Sequence, residues 1–153
     1  MKILFVCLGN ICRSPMAEGA FKHILDQHNR NDFEVDSAGT ASYHVGAMAD
    51  KRMRTTAENH GVYLTSQARQ VNTRDFYHFD IIVAMDNNNL EDLELKKPSD
   101  ATAKLVLMRS YDEENLNADV PDPYYGGQDG FEEVYEILMR SCKTFYESLK
   151  NKA

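Results

Sequence analysis

The sequence predicts an α/β fold: a three-layer sandwich, a parallel sheet covered by helices on both faces. Short apolar runs alternate with longer stretches of helical period along the 153 residues. The first run, Lys2-Ile3-Leu4-Phe5-Val6, is apolar throughout, as suits a strand buried on both faces. The last stretch, 131–150, carries one stripe of Phe131, Val134, Tyr135, Leu138, Cys142, Phe145 and Leu149, the mark of a helix packed along one side.

The elements follow in order. After strand one, Met16, Ala17, Ala20, Phe21, Ile24 and Leu25 recur at helical spacing. Lys22, His23, Asp26 and Gln27 lie opposite them, and Pro15 is a preferred first helical residue. Further strands read at Phe33–Ser37, Asp80–Ala84 and Lys104–Met108, and helices near 47–60 and 87–95, the latter opened by Asn87-Asn88-Asn89. Asp129 and Glu132 suggest a capping box for the last helix. Ser110 to Gly130 breaks the pattern: it is long, aperiodic and rich in Asp, Asn, Gly and Pro, which points to a functional loop.

Length and composition predict one domain, 1–153, with 42% apolar residues. No stretch reaches membrane-spanning length, no signal-peptide pattern opens the chain, and three cysteines do not suit a disulfide framework, so a cytoplasmic protein is expected. A net charge of −7 argues against nucleic acid and anionic membranes. No metal or other cofactor is expected, because Cys7 and Cys12 lack further ligands at zinc spacing and the five histidines are scattered.

The chemistry concentrates in Cys7-Leu8-Gly9-Asn10-Ile11-Cys12-Arg13-Ser14, between strand one and a helix N-terminus. Unsatisfied N–H groups and the positive helix end make that junction an anion site. Gly9 and Asn10 tolerate positive φ, which turns successive N–H groups inward as a nest. A thiol placed there is expected as the nucleophilic thiolate. Arg13 suits bidentate capture of phosphoryl oxygens; Ser14 suits a helix cap, a hydrogen bond to the sulfur, or both. Together these groups fit attack on the phosphorus of a bound phosphate ester. A general acid is available among Asp112, Asp119, Asp122 and Asp129, and residue chemistry alone favours Asp122 only modestly, through the stiff Pro123 and the aromatics beyond it.

At these residues the chain resembles the low-molecular-weight protein tyrosine phosphatases. The likeness continues through Ser14-Pro15-Met16-Ala17-Glu18, Asp36-Ser37-Ala38-Gly39-Thr40, Ala68-Arg69-Gln70, Met85-Asp86 and Asp122-Pro123-Tyr124-Tyr125-Gly126, anchors that span nearly the whole chain. The resemblance implies a four-stranded sheet in order 2-1-3-4, which puts the loop after strand one at the topological switch point. It implies Cys7 as nucleophile, Arg13 as phosphate clamp and Asp122 as general acid and base, acting on phosphotyrosine proteins and small aryl phosphates, with phosphate-like anions such as vanadate, tungstate or sulfate as ligands.

Leu8, Ile11, Tyr43, His44, Tyr124 and Tyr125 match positions lining the family's crevice, although Tyr43 and His44 read equally as an exposed variable loop. Ser37 is expected to bond Asn10, Asp86 to orient Arg13 or cap the next helix, and Arg69 to act as a brace. The resemblance also suggests a reversible Cys7–Cys12 disulfide on oxidation and a tyrosine kinase among the partners. One departure is Ser66, which stands where the family often carries a loop-bracing histidine.

Rival readings remain at this level. A thiol-dependent arsenate reductase would relay electrons through mid-chain cysteines, but 13–141 holds none. A protein arginine phosphatase would use the same loop, and the tyrosine wall favours phosphotyrosine over it. A receiver-type domain would want an acidic pair where Cys7 stands, and a phosphopeptide-binding module would not need both nucleophile and acid. Walker-type and dinucleotide-binding loops are absent.

Overall fold

The computed structural model describes residues 1–152. Its elements are β1 (Lys2–Cys7), α1 (Arg13–Gln27), β2 (Glu34–Gly39), α2 (Lys51–Asn59), α3 (Asp75–His78), β3 (Ile81–Ala84), α4 (Asn87–Lys96), β4 (Lys104–Leu107) and α5 (Gln128–Leu149), with a 3₁₀ turn over Met108–Tyr111. The strands form a parallel sheet in the order β2-β1-β3-β4, as the resemblance implied.

β1 is central, with Ile3 paired to Val35 on one side and to Ile81 on the other. Side chains of a strand alternate between faces, so β1 feeds two cores. Ile3 and Phe5 pack with α1, α2 and α5; Leu4 and Val6, with Ile82 of the neighbouring strand, pack with Phe76, Phe79 and Leu93 of the opposite layer. Phe5, Phe21 and Phe145 form the aromatic centre of the first core, with ring centroids 5.4–6.2 Å apart in tilted or edge-on pairs. Cys142 is fully buried in it.

Several expected boundaries move. α1 starts at Arg13, so Pro15 is its third residue, not its first; Ser14 lies inside the helix and gives no cap. The capping box at Asp129 and Glu132 does not form: Gly127 precedes α5 without a side-chain bond, and Glu132 pairs instead with His60 at 2.6 Å. Of Gly9 and Asn10, only Asn10 takes positive φ, at 59°. α3 was not expected from the sequence. Four residues are too short to show a helical period.

Candidate active site

The carboxyl end of β1 delivers Cys7, and the chain turns through 8–12 into α1. This is the crevice beyond the strand ends where open α/β sheets place their ligands. Cys7, Leu8, Gly9, Ile11, Cys12 and Arg13 form the floor of a cleft of about 120 Å³. Its mouth is made by Tyr43, His44, Asp122, Tyr124 and Tyr125. The tyrosines build a wall: Tyr124 meets Tyr125 edge-on at 4.9 Å and lies 6.2 Å from the His44 ring. Tyr43 is 74% exposed and Tyr125 93%, so both stand at the rim and not in the depth.

The sulfur of Cys7 receives the Asn10 N–H at 3.3 Å and shares a hydrogen bond with Ser14 Oγ at 3.0 Å. Asn10 and Ser14 do not line the cleft; they hold its floor from behind. Asn10 Nδ2 donates to Ser14 Oγ at 2.8 Å and to Ser37 Oγ at 3.0 Å, the Ser37 contact expected from sequence. Asn10 Oδ1 accepts from the Arg69 N–H at 3.0 Å. Three bonds thus fix the one left-handed residue of the turn, whose strain needs such support. None of them comes from Ser66. Arg69 is itself locked between Asp36 and Asp75, each at 3.0 Å, as a brace would be.

Behind Ser37 lies a residue for which no role was predicted. Glu18 is 4% exposed; one carboxylate oxygen accepts from Ser37 Oγ at 2.6 Å and the other from Lys22 at 2.6 Å. Its signal in the sequence is a carboxylate among the apolar positions of α1, four residues after Ser14. A buried charge must be paired, and Glu18 is.

Arg13 is nearly buried, and its NH1 donates to Asp86 Oδ2 at 2.6 Å and to the Val120 carbonyl at 3.1 Å. Burial alone would lower the guanidinium pKa. The electrostatic interaction with the Cys7 side chain, the bond to Asp86 and the charges of Asp86 and Asp122 outweigh burial and raise it. Asp86 also accepts the Asn89 N–H at 2.7 Å, so it caps α4 and holds Arg13 at once. Burial pushes the Cys12 thiol well up, and Asp50, Cys7 and Asp122 add to it. Cys7 and Cys12 are both free thiols.

The four aspartates of the aperiodic stretch separate by surroundings. Asp112 is enclosed between Arg109 and Arg140, Asp119 accepts from Asn87, and Asp129 lies in the first turn of α5. Only Asp122 reaches the cleft. Its Oδ2 is 3.7 Å from Arg13, and its Oδ1 accepts the Tyr124 N–H at 3.0 Å. This floor can bind a tetrahedral anion against a nucleophile while a carboxyl waits at the mouth.

The model of the family described as low molecular weight phosphotyrosine protein phosphatase matches residues 2–153. A chicken protein of that name is 44% identical, over 95% of this chain and 93% of its own. The crystal structure of a protein tyrosine phosphatase from Entamoeba histolytica, with Hepes in its active site, superposes with a TM-score of 0.94 at 43% identity, covering 99% of this chain and 97% of the other. A Drosophila arginine phosphatase superposes with a TM-score of 0.91 at 38% identity over all of both chains.

Proposed function

We propose, for a chain that belongs to the low molecular weight phosphotyrosine protein phosphatase family, that it hydrolyses phosphotyrosine through a cysteinyl-phosphate formed on Cys7. One observation carries the reading. The Cys7 sulfur, held by the Asn10 N–H and Ser14, forms the floor of a cleft that has Arg13 beside it and Asp122 at its mouth.

The Cys7 thiolate attacks phosphorus in line and displaces the phenolic oxygen, which takes a proton from Asp122. Arg13 and the loop N–H groups carry the charge of the equatorial oxygens as they flatten. Asp122, now a carboxylate, takes a proton from the water that cleaves the S–P bond, and the thiolate leaves with help from Ser14. Leu8 and Ile11 below, with Tyr43, His44, Tyr124 and Tyr125 at the mouth, give the cleft an apolar and aromatic lining that suits an aryl ring. A phosphoserine is too short to reach the sulfur from such a rim. Vanadate, tungstate and sulfate match the same cradle in shape and charge. Under a peroxide, the Cys7 thiolate would take one peroxide oxygen, with the other leaving as water, and the resulting sulfenic acid would condense with the Cys12 thiol, releasing a second water and forming a disulfide that thiols can reduce. Three unpaired cysteines support a cytoplasmic home, where phosphotyrosine proteins, a tyrosine kinase among them, are the partners of this reading.

Arginine phosphatase activity is a second reading, favoured by the Drosophila likeness. A panel of phosphotyrosine, phosphoserine and phosphoarginine peptides separates the two. The expected order has phosphotyrosine first, vanadate inhibiting, Cys7→Ser inactive, and Asp122→Ala slower by about 10²–10⁴ with phosphate binding retained. Turnover by Cys7→Ser, or a preference for phosphoarginine, would overturn the assignment.

A further inference from the structure

Asp122 rides on a segment with no helix or strand of its own, between the 3₁₀ turn and α5. Two tethers flank Asp122 itself, each two residues from it. On the sheet side the Val120 N–H donates to the Met85 carbonyl at 2.9 Å, and the Val120 carbonyl accepts from Arg13 at 3.1 Å. On the far side the Tyr124 carbonyl accepts from Arg52 NH2 at 3.0 Å. Beyond it come Gly126 and Gly127, which give the backbone little stiffness.

Arg52 lies in the first turn of α2, and its environment is more than a surface ion pair. Its guanidinium stands over the rings of Tyr124 and Phe131, 5.4 and 4.7 Å from their centroids. Asp50 grips it with both oxygens, at 3.1 Å to Nε and 2.9 Å to NH2. Asp50 is in turn tied to the cradle: its N–H donates to the Ile11 carbonyl at 2.8 Å, and its side chain is 12% exposed. A continuous path of bonds therefore runs from the floor of the cleft through Ile11, Asp50 and Arg52 to Tyr124, and so to the carboxyl at the mouth. An exposed pair alone would contribute little. A planar fork that also holds a carbonyl and two aromatic faces sets a geometry.

We infer that Arg52, gripped by Asp50, is a positioning residue that holds Asp122 at proton-transfer distance from the departing oxygen. The inference rests on Asp122 being the proton donor of the proposed function. Arg52 touches neither substrate nor sulfur. It acts by keeping the acid where a hydrogen bond of roughly 2.6–3.2 Å can form.

The test is the dependence of kcat/KM on the leaving group, since this constant reports the step in which the phenol departs. 2,4-Dinitrophenolate leaves without a proton, whereas phenol and tyrosine need one. Arg52→Gln is expected to lose about tenfold on phenyl phosphate and phosphotyrosine, and less than about twofold on 2,4-dinitrophenyl phosphate. Competitive inhibition by inorganic phosphate should stay within about twofold, because the cradle is intact. Asp50→Asn keeps the α2 cap but loses the charged grip, and should shift the series the same way by about threefold. Asp122→Asn should steepen the series most. An equal loss across all leaving groups for Arg52→Gln, or no loss, beside a steep Asp122→Asn series would overturn the inference and leave the proposed function standing. A flat Asp122→Asn series would remove the acid assignment and the inference with it.

Discussion

At the scale of single residues, Arg13 and Asp86 form the most exposed-to-failure pair in the site. The Arg13 side chain is 5% exposed and that of Asp86 16%, so removing the carboxylate strands a cation in a poorly solvated place. Asp86→Ala is expected to cost about 3 kcal/mol in urea unfolding. Asp86→Asn keeps the cap on Asn89 and should recover about 1 kcal/mol of that, while kcat/KM still falls about tenfold because Arg13 loses its anchor. Equal stabilities for the two variants would mean that the cap contributes nothing. Much of the cradle was legible here, because its groups are adjacent in sequence and sit between a strand and a helix. Both functions of Asp86 were legible too, as clamp of Arg13 and as cap of the next helix. The burial of Glu18 was not, because it depends on partners that only folding brings near, such as Ser37, nineteen residues from Glu18. The left-handed turn was anticipated at two positions and occurs at one, since Asn10 has three partners to hold it there.

Among the elements, the junction between the 3₁₀ turn and α5 hangs on Asp112. Its carboxylate is fully enclosed and accepts from Arg109 at 2.8 Å, from Arg140 at 2.8 and 3.1 Å, and from the Glu114 N–H at 3.1 Å. Burial would raise its pKa, but the Arg140 bond, the Glu114 N–H and Arg109 outweigh it, and the carboxyl lies below its ordinary range. A pKa lower in the folded than in the unfolded chain stabilises the fold above the unfolded value of about 3.9; that stability drains away as pH falls through the folded value. Urea midpoints measured from pH 6 downwards should therefore fall for the native chain once the pH passes below the unfolded value of about 3.9. Asp112→Asn should be weaker by about 3 kcal/mol at neutral pH and show a shallower acid limb. A parallel acid limb would show that other carboxylates govern it. The strands and the long helices were readable because their hydrophobic period is long enough to register. α3 spans only four residues, and the expected capping box failed because the N-cap position falls at Gly127, two residues before Asp129, and Glu132 pairs with His60.

For the molecule as a whole, an anion bound in the cradle should stabilise the fold by mass action. At a hundredfold excess over Kd the gain is about 2.7 kcal/mol, or about 5–10 °C in Tm for a chain of this size. Vanadate or phosphate should give that shift in the native chain and in Cys7→Ser, and lose most of it in Arg13→Lys, where the planar fork is gone. A full shift in Arg13→Lys would place the anion elsewhere. The central position of β1 has a kinetic corollary. The cradle hangs from its end, yet Arg13 is set by Asp86 and by Val120, 73 and 107 residues further along the chain. Receptivity to the anion is therefore expected to arise after the barrier, when distant segments have closed around a strand flanked on both sides. Saturating anion should slow the unfolding limb of the chevron by nearly its whole thermodynamic effect and leave the refolding limb almost unmoved.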